Sequence, residues 1–137
     1  MTMTKMRVNY LGNLRCDVEH LASGSHIETD APVDNKGKGE KFSPTDLLCV
    51  SLVTCILTTI AIAAEERGWK FEGATGDFEK IMVGPPRRVG EVAITLTIPS
   101  HDYTDEIKSK IERYVQACPV SRSLHPDLQK TVTIKFV

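Results

Sequence analysis

The chain has 137 residues, 41% of them hydrophobic and 26% charged, and a single domain with its own core is expected over 1–137. A formal net charge of -1 argues against nucleic acid as a partner, which calls for a basic surplus, and against a polybasic membrane anchor. The opening residues, MTMTKMRVNYLGNLR, lack an apolar run followed by a small-residue cleavage site, so a cytoplasmic location with reduced thiols is expected.

Residues 6–30 read as strands broken at two turn signals, Gly12-Asn13 and Ser23-Gly24-Ser25. Leu14, Cys16, Val18 and His20 alternate with Arg15, Asp17 and Glu19, which predicts a three-stranded antiparallel meander. Residues 31–42 (APVDNKGKGEKF) form a Gly- and Lys-rich loop. It is long for a compact domain, and long loops are often functional. Lys36, Lys38 and Lys41 read as its solvated face.

Ser43 then suits an N-cap, Pro44 the first helical position, and Asp46 the third residue of a capping box in which Asp replaces Glu. The helix runs through LLCVSLVTCILTTIAIAAEER and stops at Gly68. It spans roughly 36 Å. Residues 47–64 carry no charge. The length is at the lower limit for a membrane span. Ser51, Thr54, Thr58 and Thr59 lower its apolarity, so a helix buried nearly all round is expected instead. A chain this short has little material to surround it, and a homodimer follows.

Residues 69–83 and 88–98 read as two long strands joined at Gly84-Pro85-Pro86, with Trp69 and Phe71 as core or pocket wall. Residues 104–117 form a second helix with Ile107, Ile111, Tyr114 and Val115 on one face and Thr104 or Asp105 as its cap. Pro119 ends that helix at Cys118. Residues 120–124 are a turn or helical piece, and 131–137 a final strand. The fold class is α+β.

Four cysteines carry the possible chemistry: Cys16, Cys49, Cys55 and Cys118. No pair has C-x-x-C spacing, and His20, His26, His101 and His125 show no ligand spacing, so no metal is expected. Cys16 and Cys49 read as core. Cys49 lies six residues from Cys55, so the two point about 120° apart on a helix. Cys55 sits mid-helix, where the helix dipole has faded and burial raises a thiol above its usual ~8.5. If Cys55 reacts, it needs a cation. Arg15, Arg122, Arg87 and Arg88 are the candidates, and arginine suits because it stays charged in a partly apolar site. Without more, Cys55 reads as packing. Cys118, at a helix break beside a proline, is less suited to plain filler. One mid-helix and one terminal cysteine suit a peroxidatic and a resolving thiol.

The run F-S-P-T-D-L-L-C-V-S-L-V-T-C (42–55) resembles the Pro-x-x-Leu-Leu…Cys helix of the OsmC/Ohr family, the osmotically inducible and organic hydroperoxide resistance proteins. The run C-P-V-S-R-S-L (118–124) resembles that family's second-cysteine motif. The order of elements is similar along the whole chain. The resemblance implies an OsmC-like fold, with antiparallel sheets packed around a long central buried helix in an intertwined homodimer. It implies a peroxiredoxin-like, antioxidant activity: reduction of organic hydroperoxides by two cysteines, with an external dithiol reductant and no cofactor. Cys55 falls on the peroxidatic position and Cys118 on the resolving one. Arg15, in the Gly12-Asn13-Leu14-Arg15 hairpin, falls on the arginine that activates the thiolate. Thr45 departs from the pattern. The family's better-known enzymes carry Glu directly after the proline, where it orients the arginine. Asp46 reads either as its substitute or as the capping-box residue. The alternative function is a non-catalytic OsmC-like dimer that binds an apolar small ligand at its interface.

Overall fold

Alternation with turn residues at both breaks gives the expected meander: β1 (Met6–Gly12), β2 (Arg15–His20) and β3 (Ser25–Asp30), paired in that order and antiparallel. The computed structural model describes residues 2–100 and 102–137; His101, expected as a surface histidine, lies outside them. The chain divides into two compact units, Met1–Leu48 and Cys49–Val137.

In the first unit, the register pairs Val8 with Val18, Val18 with Ile27 and Tyr10 with Cys16. One face of the sheet is therefore apolar, because cross-strand partners share a face. The chain leaves this face open: Val8, Tyr10 and Ile27 are 61%, 65% and 51% exposed. Cys16 is accordingly half-buried and not core as expected. The loop after β3 is tied down. Gly37 donates to the Pro32 carbonyl at 2.9 Å and Asp30 to the Phe42 carbonyl at 3.1 Å. A Cβ on Gly37 would collide with the Ala31 carbonyl, so the fold-back requires glycine there.

Helix α1 (Pro44–Arg67) begins in the first unit and runs through the second. Its start is a reciprocal capping box: the Ser43 amide donates to Asp46 Oδ2 at 2.9 Å and the Asp46 amide to Ser43 Oγ at 3.0 Å. It ends at Gly68 (φ 72°), where Trp69 donates to Ala64 and Gly68 to Glu65 in a Schellman pattern. The helix is long and apolar enough to cross a membrane by length and composition. One side of it is core: Cys49, Leu52, Val53, Ile56, Ile60, Ala63 and Ala64 are buried. The expectation of burial all round does not hold for the single chain. Ser51, Thr54, Thr58 and Ile62 form an exposed stripe at helical spacing.

The second unit packs this core side on β4 (Thr75–Val83), β5 (Arg88–Ile98) and β6 (Gln129–Phe136). A Cβ on Gly76 of β4 would lie 2.8 Å from Val53 Cγ1, so glycine lets the helix approach the sheet. Val92, Ile94, Leu96 and Ile98 are buried on β5, as their alternation predicted. Two details differ from expectation. Trp69 and Phe71 lie in the turn before β4, which starts only at Thr75, after Gly73 at φ 88°. The sheet is also mixed, not purely antiparallel: β5 pairs with β6 in parallel. The chain reaches β6 through α2 (Asp105–Val115) and α3 (Pro119–Ser123), and such a crossover permits parallel pairing. Thr104 caps α2, its hydroxyl accepting from the Ile107 amide at 3.2 Å.

Candidate active site

Cys55 stands in the middle of α1, half-buried, between the helix's core side and its exposed stripe. Thr59, one turn on, shares its face and helps to lower the Cys55 thiol. Cys49 points elsewhere and is fully buried, as expected for a core cysteine.

Cys118 reaches Cys55 from the break between α2 and α3. Pro119 holds Cys118 extended, at φ -61° and ψ 126°, and makes it the N-cap of α3. The Ser121 amide donates to Cys118 Sγ at 3.4 Å. Lys130 of β6 pins the turn by donating to the Ser121 carbonyl at 3.1 Å and to Ser121 Oγ at 2.9 Å. Cys118 is fully buried, whereas Cys55 retains access to solvent. Both thiols are free, and each acts on the ionisation of the other.

The pair is electrostatically asymmetric. Burial is the largest influence on Cys55 and pushes its pKa up. Hydrogen bonds from the Cys118 thiol, the Val120 amide and the Thr59 hydroxyl outweigh it, and the net shift is downward. Burial also pushes the Cys118 thiol up, and its bond to Cys55 and the Cys55 charge push the same way. The Ser121 and Val120 amides only partly offset this. Of the two thiols, Cys55 is therefore the one that ionises first. Within the second unit the lowering needs no cation. Arg122 is exposed on α3, and Arg87 and Arg88 lie at the turn joining β4 to β5. Among the described residues no cluster of His, Cys, Asp and Glu could hold a metal ion.

Arg15 opens β2 behind a tight turn in which Asn13 and Leu14 have φ 54° and 63°. Leucine rarely adopts positive φ, so the turn that delivers Arg15 is strained. The guanidinium lies 3.0 Å from Glu40 Oε2 and 3.6 Å from Asp30 Oδ2. The Glu40 hydrogen bond raises the Arg15 pKa most, with Asp30 and Glu28 adding to it against burial. Asp46 serves the capping box, the second of the two readings it was given.

Thr59, Val120, Asp30 and Glu40 were not anticipated. Thr59 was findable from its i+4 spacing to Cys55. The Val120 donor is a backbone amide, and nothing in a side-chain pattern signals it. Asp30 stands opposite Arg15 in the β2–β3 ladder, a pairing visible once the register is counted.

The profile of the OsmC-like protein family matches residues 37–133. No curated protein matches the chain. Among crystal structures, a provisionally assigned osmotic stress induced and detoxification response protein from Psychrobacter arcticus is 44% identical, with 98% of this chain and 97% of that chain covered and a TM-score of 0.90. An organic hydroperoxide resistance protein OsmC from Legionella pneumophila is 16% identical over 98% of both chains, with a TM-score of 0.76. An organic hydroperoxide resistance protein from Elizabethkingia anophelis is 17% identical, with 100% and 98% covered and a TM-score of 0.77. At those lower identities the likeness is one of fold.

Proposed function

The chain belongs to the OsmC-like family, and from that premise we propose that it is a cysteine-based reductase of organic hydroperoxides. The observation that carries the reading is the juxtaposition of two free thiols of opposite bias, Cys55 lowered and Cys118 raised. A thiolate is the nucleophile that attacks a peroxide, and a neighbouring thiol is what resolves the product.

In the first step the Cys55 thiolate attacks an oxygen of ROOH. The O–O bond breaks, Cys55 becomes a sulfenic acid, and the leaving alkoxide takes up a proton to depart as an alcohol. In the second, the Cys118 sulfur displaces hydroxide from the sulfenic sulfur, giving a Cys55–Cys118 disulfide and water. An external dithiol then restores both thiols by exchange and leaves as its own disulfide. The sum is ROOH plus a dithiol going to ROH, water and a disulfide. The apolar surroundings of α1 favour an organic substrate. Arg15 is assigned as the cation that adds to these influences and keeps Cys55 ionised near neutral pH. The cytoplasm, which keeps thiols reduced, suits the cycle.

The test is a thiol count. After one equivalent of cumene hydroperoxide per chain, two thiols per chain should be lost under denaturing conditions. Loss of none would leave the apolar-ligand module or a structural role.

A homodimer belongs to the same reading. The apolar face of β1–β2–β3 is uncovered, with Met6 also 62% exposed. On α1 the Thr54 and Thr58 hydroxyls turn back to the Val50 and Thr54 carbonyls at 2.8 and 2.9 Å. They are satisfied within the helix and do not require water beside it. Ile62, on the same stripe, is 59% exposed. A second copy is the partner that would cover these surfaces. Sedimentation at micromolar concentration should give about twice the 15.2 kDa chain mass. A well-folded monomer would refute the dimer.

A further inference from the structure

We infer that Asp30 is the positioning residue for Arg15 and that Glu40 is a displaceable competitor for the same guanidinium. The inference rests on the reading of Arg15 as the cation of the peroxide chemistry, and it adds how that cation is held and released.

Asp30 is fixed. It faces Arg15 across the β2–β3 ladder, it is 1% exposed, and its Oδ2 accepts the Glu40 amide at 3.0 Å. Its other oxygen, Oδ1, is buried with no hydrogen-bond partner among the described residues. A buried carboxylate oxygen without a donor costs free energy, and such exceptions call for an explanation. The nearest cation supplies one. Arg15 carries five N–H donors in a rigid fork suited to both oxygens of a carboxylate. Here that fork stands 3.6 Å from Asp30 Oδ2, too far for a hydrogen bond, because it leans to Glu40 at 3.0 Å. Full engagement of Asp30 and the present bond to Glu40 compete for one group.

Glu40 is the movable partner. Its side chain is 55% exposed, and an exposed ion pair holds little free energy. Its backbone is anchored, however, through the amide that binds Asp30. The side chain can therefore swing away while the loop stays in place. Glu28, the other carboxylate that acts on Arg15, is itself paired with Lys41 at 3.3 Å. With Glu40 in contact, Arg15 is flanked by two carboxylates and offers little net positive charge. With Glu40 displaced, Arg15 closes on Asp30 as a bidentate pair and its outer donors become free for an anionic or peroxidic group.

The two carboxylates thus have opposite signs of effect, which makes the inference testable. The readout is the pH profile of Cys55 alkylation by iodoacetamide, measured on the full chain with a melting curve for each variant. Asp30→Asn should slow alkylation at pH 7 about fivefold, the scale of one lost hydrogen bond, and move the profile to higher pH, as Arg15→Met does. The double variant should be no slower than Arg15→Met alone, because Asp30 acts through that arginine. Glu40→Gln should alkylate at least as fast as wild type, about twofold faster where the lost charge is felt. Glu40 is on an exposed arm, so this variant decides the matter even where Asp30→Asn does not fold. Slowing by Glu40→Gln, no effect of Asp30→Asn in a folded protein, or no effect of Arg15→Met each overturns the inference. The cysteine cycle is judged separately by thiol loss with cumene hydroperoxide.

Discussion

Replacing Cys55 with Ser is expected to abolish hydroperoxide consumption, a fall of at least about a thousandfold. A serine hydroxyl is not ionised near neutral pH, whereas a thiolate is both ionised and intrinsically nucleophilic. Cys118 cannot take over. It is fully buried, and burial, the largest influence on its thiol, holds its proton in place even with Cys55 gone. The substitution is nearly isosteric at a half-buried position, so the melting temperature should stay close to wild type and the loss will report chemistry. Replacing Cys16 and Cys49 together by Ala gives the control. Cys49 points about 120° away from Cys55 on the helix and Cys16 lies on another element, so peroxide consumption should persist, with a stability cost from the emptied Cys49 site. Peroxide remaining against time, with the intact mass at each point, measures all of this. Wild-type consumption by Cys55→Ser, or a wild-type disulfide made through Cys49 or Cys16, would refute the assignment.

What the sequence made legible follows the range of the interactions involved. The capping box at Ser43 and Asp46, the stop at Gly68 and a cap at Thr104 or Asp105 are local signals, and the structure closes each within five residues, the last at Thr104. Strand alternation on β5 is local too. The parallel pairing of β6 with β5 is not. It depends on where the chain lands after two helices, and a strand of either direction would carry a similar pattern. Cys16 was misread for a related reason: alternation tells which face a residue lies on, not whether anything covers that face. The same holds for α1, whose charge-free middle signals burial but not by what. At the site, the two thiols were readable as a pair through the motifs around them. Their asymmetry was not, because it comes from a backbone amide at Val120 and from relative depth, neither of which side-chain spacing encodes. A cation near Cys55 is the expectation from sequence because charge is the strongest way to stabilise a thiolate. Hydrogen bonds lower Cys55 without one.

Cys118 separates the two halves of the cycle, and its two simplest substitutions should behave differently. Sulfenic acid formation needs only the Cys55 thiolate and the peroxide, so Cys118→Ser should still consume about one equivalent per chain. It should then stall, because a serine hydroxyl cannot form the disulfide that a dithiol reductant opens. Turnover is lost although the first step survives. Excess peroxide should drive Cys55 to the sulfinic acid, two oxygens heavier by intact mass, where wild type shows the loss of two hydrogens. Cys118→Ala goes further, because it also removes the hydrogen-bond donor. The Cys118 thiol is the strongest of the groups that lower the Cys55 pKa. Without it the balance tips toward burial, and the Cys55 pKa rises. The sign follows from the acid form being neutral. A higher pKa leaves less thiolate at any pH below it, so alkylation at pH 7 slows and the rate plateau moves to higher pH. Serine, which still offers an O–H, should keep part of the lowering. The expected order of Cys55 reactivity at pH 7 is therefore wild type, then Cys118→Ser, then Cys118→Ala, while neither variant turns over. Equal alkylation profiles in all three would mean that Val120 and Thr59 suffice to hold the thiolate, and that Cys118 serves only to resolve it.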